Sequence, residues 1–123
     1  MKELYQTADW KAEKHVPVIE LSKKGDMYQI NVSVGKEIAH PNTTAHHIAS
    51  IDVYFHPENE KFPYLIGHFD FSAHGASTEG PDTSTVYTHP DVTCLLKTEK
   101  PGKIYASSYC NIHGLWSNEA ALT

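Results

Sequence analysis

The chain has 123 residues, a formal net charge of -5 with its nine histidines neutral, and ten basic residues that are all lysines. This length suits one domain, residues 1–123, with a core of its own and no room for a second, and an acidic chain without arginine lacks the guanidinium-bearing face of a nucleic-acid binder. No apolar run approaches the roughly 20 residues of a membrane span, and polar Gln6, Thr7 and Asp9 stand where a signal-peptide core would, so a soluble cytoplasmic protein is expected.

In chain order, residues 3–10 suggest at most one helical turn, and 11–15 read as a loop. Residues 16–21 form a β-branched run. Between 27 and 34, apolar Tyr28, Ile30, Val32 and Val34 alternate with polar Gln29, Asn31 and Ser33, the period of a half-buried strand. Residues 36–47 carry loop residues, with Pro41, Asn42, Thr43 and Thr44 disfavouring helix and strand alike. Strands are expected at 48–55, 64–71, 92–97 and 103–109, with loops at 75–90 and 110–115. Sustained helical periodicity is missing. The pattern predicts an all-β, immunoglobulin-like antiparallel sandwich of about seven strands, with its histidine-bearing loops held on a rigid frame.

Two cysteines, Cys94 and Cys110, are too few for an all-cysteine tetrahedral site, whereas nine histidines exceed ordinary surface use and point to a histidine-rich metal site. The strongest local signal is Cys110-Asn111-Ile112-His113-Gly114, a turn that lets a thiolate and an imidazole approach one metal. His40 and His46 share one loop. Glu13-Lys14-His15 places an acid, a base and an imidazole just before a strand. Singly, each group reads equally well as a buried thiol or a solvated surface run. Together, His15, His40, His46, Cys110 and His113 offer four imidazoles and one soft sulfur, more than tetrahedral zinc uses, which favours redox iron with a sixth position open.

These residues are similar, end to end, to the one-iron superoxide reductases, or neelaredoxins. The resemblance runs through Asp9-Trp10, EKHVPVIE at 13–20, VGKEIAHPNTTAHHI at 34–48, AHGAS at 73–77, VYTHP at 86–90 and SYCNIHGLW at 108–116. It implies one iron per chain, cycling between Fe2+ and Fe3+, on His15, His40, His46, Cys110 and His113, and it selects His46 over neighbouring His47. It further implies that Glu13 closes the open position after oxidation; on electrostatic grounds Lys14 is expected to draw superoxide to that position, and backbone N–H groups of Ile112 and His113 are expected to temper the sulfur. The product is hydrogen peroxide without dioxygen, the donor is rubredoxin-like, and the assembly is a homotetramer. His47, His56, His68, His74 and His89 are left as packing or surface histidines, and Cys94 as a buried small apolar residue. Ala39, Ala45, Ser50 and His68 depart from the proline, glutamate, aromatic and arginine common in the family, which bears on loop rigidity and subunit contacts.

Two rivals belong to other classes. A blue-copper electron-transfer protein is also a β-sandwich with a late cysteine and histidine, but the only methionines here are Met1 and Met27, so its usual late axial ligand is missing. A structural-zinc sandwich would be colourless and redox-silent.

Overall fold

A computed structural model describes residues 2–122. A single 3-10 turn, Lys2–Leu4, precedes eight strands: β1 (Tyr5–Gln6), β2 (Val18–Lys24), β3 (Met27–Ser33), β4 (Ile48–Pro57), β5 (Tyr64–Asp70), β6 (Asp91–Leu96), β7 (Gly102–Cys110) and β8 (Gly114–Leu122). They form a five-stranded sheet in the order β1-β8-β7-β4-β5 and a three-stranded sheet in the order β2-β3-β6. All pairings are antiparallel except the short one between β1 and β8. The sandwich expected from the alternation is therefore the fold.

The core is the period-2 pattern made solid. Ile30 and Val32 of β3 face Ile51, Val53 and Phe55 of β4 and Ile104 and Ala106 of β7, all buried. Strand β2 begins two residues later than its apolar run, because Pro17 has no N–H to give a ladder; Val16 and Pro17 are buried beside the sheet instead. Gly25, at φ 64°, makes the tight turn between Lys24 and Met27.

Two strands escape the sequence pattern. Strand β8 was expected to be loop as far as residue 115 and carried no prediction beyond it, since Ser117, Asn118, Glu119, Ala120 and Ala121 have weak strand propensity. It becomes a strand by pairing with β7 along its whole length, from Gly102↔Leu122 to Cys110↔Gly114. Strand β1 exists only against β8, through Tyr5↔Leu115 and Gln6↔Trp116.

The topology gathers three chain segments at one end of the sandwich. The start of β2 pairs with the end of β3 through Val18↔Ser33, and the start of β4 pairs with the end of β7 through Ile48↔Cys110. The segment before β2, the loop before β4 and the turn after β7 are thus neighbours.

Candidate metal centre

Cys110 is the last residue of β7, in the same alternation as buried Ile104, Ala106 and Ser108, so its side chain points inward where the core ends. Ser108, two residues earlier on that face, donates its hydroxyl to the His15 carbonyl (3.1 Å) and so fastens the 13–17 segment onto β7. Asn118 holds the same segment from β8, its Nδ2 donating to the Pro17 carbonyl (2.9 Å). His40 and His46 come from the loop before β4. A tight turn, with Thr43 N–H donating to His46 O (2.9 Å) and His46 N–H to Thr43 Oγ1 (3.0 Å), presents His46.

The structure brings His15, His40, His46 and Cys110 together, with one nitrogen or sulfur of each within 4.8 Å of the others. His113 stands beside them, its Nδ1 3.2 Å from His15 Nε2 and 3.8 Å from the Cys110 sulfur. The four rings mark the corners of a square. Centroid separations are 4.8 Å for His15–His40, 4.9 Å for His40–His46, 5.0 Å for His46–His113 and 4.7 Å for His113–His15, with a diagonal of 6.5 Å for His15–His46.

These groups fit a metal ion. His40 Nε2 and His46 Nε2 are buried with no hydrogen-bond partner among the described residues, a costly state for two polar nitrogens unless a cation takes their lone pairs. His40 Nδ1–H donates to the Pro41 carbonyl (2.7 Å), which leaves the lone pair on Nε2. Glu13 accepts from His15 Nδ1 (2.5 Å) and from the His15 backbone N–H (3.0 Å), turning His15 Nε2 toward His113. Burial holds the His40 imidazole down to about 4, and burial first, then neighbouring His113, His15, Lys14 and His47, lowers His46. Both are neutral at pH 7 and ready to donate. The hydrogen bond to His15 keeps Glu13 below the usual carboxylate range.

Around this set lie residues that sequence reasoning did not single out. Trp116 stacks on His15, with centroids 5.0 Å apart and planes 16° from parallel, and its Nε1–H donates to the His113 carbonyl (3.2 Å). The His113 N–H donates to the Cys110 sulfur (3.3 Å); Ile112, expected to do the same, makes no such bond among the described residues. Glu13 lies on the Nδ1 side of His15, away from the nitrogen that faces the other rings, and Lys14 is half-buried beside it. His47 turns away from the square and stacks on His74 (3.5 Å, 5°). His74 itself is buried, bonded to the Phe71 carbonyl (2.6 Å) and Asn42 (3.2 Å). Cys94 is a free thiol on β6, half-buried rather than fully buried, and burial pushes its thiol up.

No helix among the described residues is long and apolar enough to cross a membrane. The desulfoferrodoxin family profile matches residues 7–119. The chain is 57% identical over 122 residues to the superoxide reductase of Pyrococcus furiosus, covering 99% of this chain and 98% of that one, and 52% identical over 125 residues to the neelaredoxin of Megalodesulfovibrio gigas, covering 99% and 96%. The reduced superoxide reductase (neelaredoxin) of Archaeoglobus fulgidus superposes with a TM-score of 0.95 at 60% identity, over 98% of each chain. With a profile match over nearly the whole chain and full-length relatives above half identity, this protein belongs to the desulfoferrodoxin family.

Proposed function

We propose that the chain is a superoxide reductase whose centre is iron on His15, His40, His46, Cys110 and His113. The observation that carries this reading is the square of four imidazoles beside a buried cysteine, with two nitrogens left without partners. A blue-copper site needs two imidazoles, one thiolate and a weak axial ligand, and two extra histidines do not suit it. Full-length relatives named superoxide reductase support the same choice.

The net reaction adds one electron and two protons to superoxide, giving hydrogen peroxide with no dioxygen. Iron, when bound, supplies that electron and is restored by a reduced donor. Everything else falls to the chain. Lys14 places a positive charge beside His15 on a protein of net charge -5, so a small anion is drawn to this end rather than repelled from it. Cys110, sealed in the core, provides a soft thiolate, and the His113 N–H withdraws density from that sulfur. Glu13 holds His15 in its tautomer, and by the family resemblance it is the group that would close the centre after oxidation.

The rubredoxin-like donor and the homotetramer belong to this proposal on the strength of the family resemblance. Metal analysis with assay of the loaded protein tests the function. One iron per chain, a blue oxidised form, and donor-dependent superoxide consumption that yields peroxide are expected. Stoichiometric zinc or copper, or oxygen evolved at half the superoxide consumed, would overturn it.

A further inference from the structure

We propose that Asn111 is a positioning residue, a clasp that sets the distance between His46 on one loop and Cys110 and His113 on another; this rests on the metal-centre reading above. The Asn111 amide bridges the two residues that flank His46. Its Nδ2–H donates to the Ala45 carbonyl (2.9 Å), its Oδ1 accepts from the His47 N–H (2.9 Å), and its own backbone N–H donates to the His47 carbonyl (3.2 Å). The orientation of the amide is dictated, because one end meets a carbonyl and the other an N–H.

The backbone alone does not make this connection. The β4–β7 ladder stops at Ile48↔Cys110, and its register shifts between Ile48 and Ser50, so regular pairing ends before His46. Asn111 carries the connection from Ile48 back to Ala45, its backbone N–H reaching His47 and its side chain spanning His47 and Ala45. It stands between Cys110 and His113 in the same short turn, so whatever holds it to 45–47 holds two donors to a third. The unpartnered Nε2 of His46 has no hydrogen bond of its own to aim it. Its position comes from the main chain on either side, and the Asn111 amide grips both sides.

The side chain of Asn111 lies in an exposed turn and supplies no donor to the metal, so its removal leaves core, ligands and charge unchanged. Anaerobic titration of metal-free protein with ferrous iron against a competing chelator tests the clasp. Asn111→Ala, and Asn111→Gln, whose amide sits one methylene too far out, should each bind ferrous iron about 10- to 100-fold more weakly than wild type. The sulfur-to-iron charge-transfer band of their air-oxidised forms should move. Asn31→Ala is the control: its Nδ2 lies within hydrogen-bond reach of Asp91, Val92 and Thr93 on the three-stranded sheet, so it removes at least as many side-chain bonds without touching a ligand loop. Its affinity should stay within about twofold of wild type. Asn111 variants that match wild type in both affinity and band position would overturn the clasp, as would an equal loss in Asn31→Ala. A wild-type chain that takes up no iron would overturn the metal reading and the clasp with it.

Discussion

Two groups of histidines in this molecule sit in opposite electrostatic settings. At the end of the sandwich, burial lowers His40 and His46, and among the described residues their inward nitrogens have no partner and no carboxylate touches either ring. On the outer face of β4 and β5, exposed His68 lies between Asp52, which bonds its Nδ1, and Asp70, 3.2 Å from its Nε2; the hydrogen bond and charge of Asp52, then the charge of Asp70, raise its affinity for a proton. Both nitrogens of His68 are claimed by acids. The inward nitrogens of His40 and His46 are claimed by no described residue, and a soft sulfur lies beside them. Neighbours, more than number, separate a histidine with a free lone pair from one that favours its proton.

The largest expected effect removes the sulfur that the outer group lacks. Cys110→Ser should abolish the blue charge-transfer band, because a hydroxyl is a far poorer soft donor than a thiolate, while Cys94→Ser should leave it intact. Air-oxidised spectra decide the matter, and an unchanged Cys110→Ser spectrum would mean that the thiolate is not at the centre. Next comes charge. Lys14→Ala should slow the bimolecular reaction of the ferrous protein with superoxide by about 3- to 100-fold, the range for one unit charge about 6 Å away between water-like and protein-like dielectrics. Lys14→Arg should recover most of the rate, and the salt dependence should weaken in Lys14→Ala. Pulse radiolysis at two ionic strengths measures both; a Lys14→Ala protein equal to wild type in rate and salt response would remove the lysine from the mechanism.

Acid should act on the two groups in opposite directions. Between an ordinary value of 6.5 and about 4, the unfolded chain binds a proton at His40 that the folded chain refuses. Metal-free protein should therefore be less stable in urea at pH 5 than at pH 7, and a flat or inverted profile would contradict the burial of a neutral imidazole. His68 has the reverse sign: its contribution is present below 6.5 and is lost as pH rises through its raised value. Because His68 is exposed, His68→Ala should give the smallest effect of all. It should leave iron content and spectrum unchanged and the melting temperature nearly so. A loss of iron in that variant would erase the distinction between the groups.

Where a strand's own alternation meets a buried face, as in Met27–Ser33 or Ile48–Pro57, sequence was enough to place the element. Strand β8 was hidden because Asn118, Glu119 and Ala120 are strand residues only by virtue of β7 beside them. The donor types at the centre were visible in the loops. The choice of His46 over His47 rested on family likeness, and the structure shows a physical basis for their different positions: the Thr43 turn and the His47–His74 stack send adjacent side chains opposite ways. Asn111, Trp116 and Ser108 were not legible at all, since each acts on a partner far away in the chain or through a backbone atom, and neither leaves a local pattern.

The contact between His15 and His113 joins positions 98 residues apart, and one ion shared by them would tie nearly the whole chain into a ring. A tie of that span acts as a detachable cross-link of the folded chain: an ion that binds the native state and not the unfolded one stabilises by mass action, with a strength set by its affinity and free concentration rather than by loop length. Because the five proposed donors come from three separated segments, the unfolded chain has no ready chelate, and capture must follow assembly of the sandwich. Loaded protein should then melt as one unit, with its two ends held until the ion departs, whereas a chelator should free the first and last segments before the central strands give way.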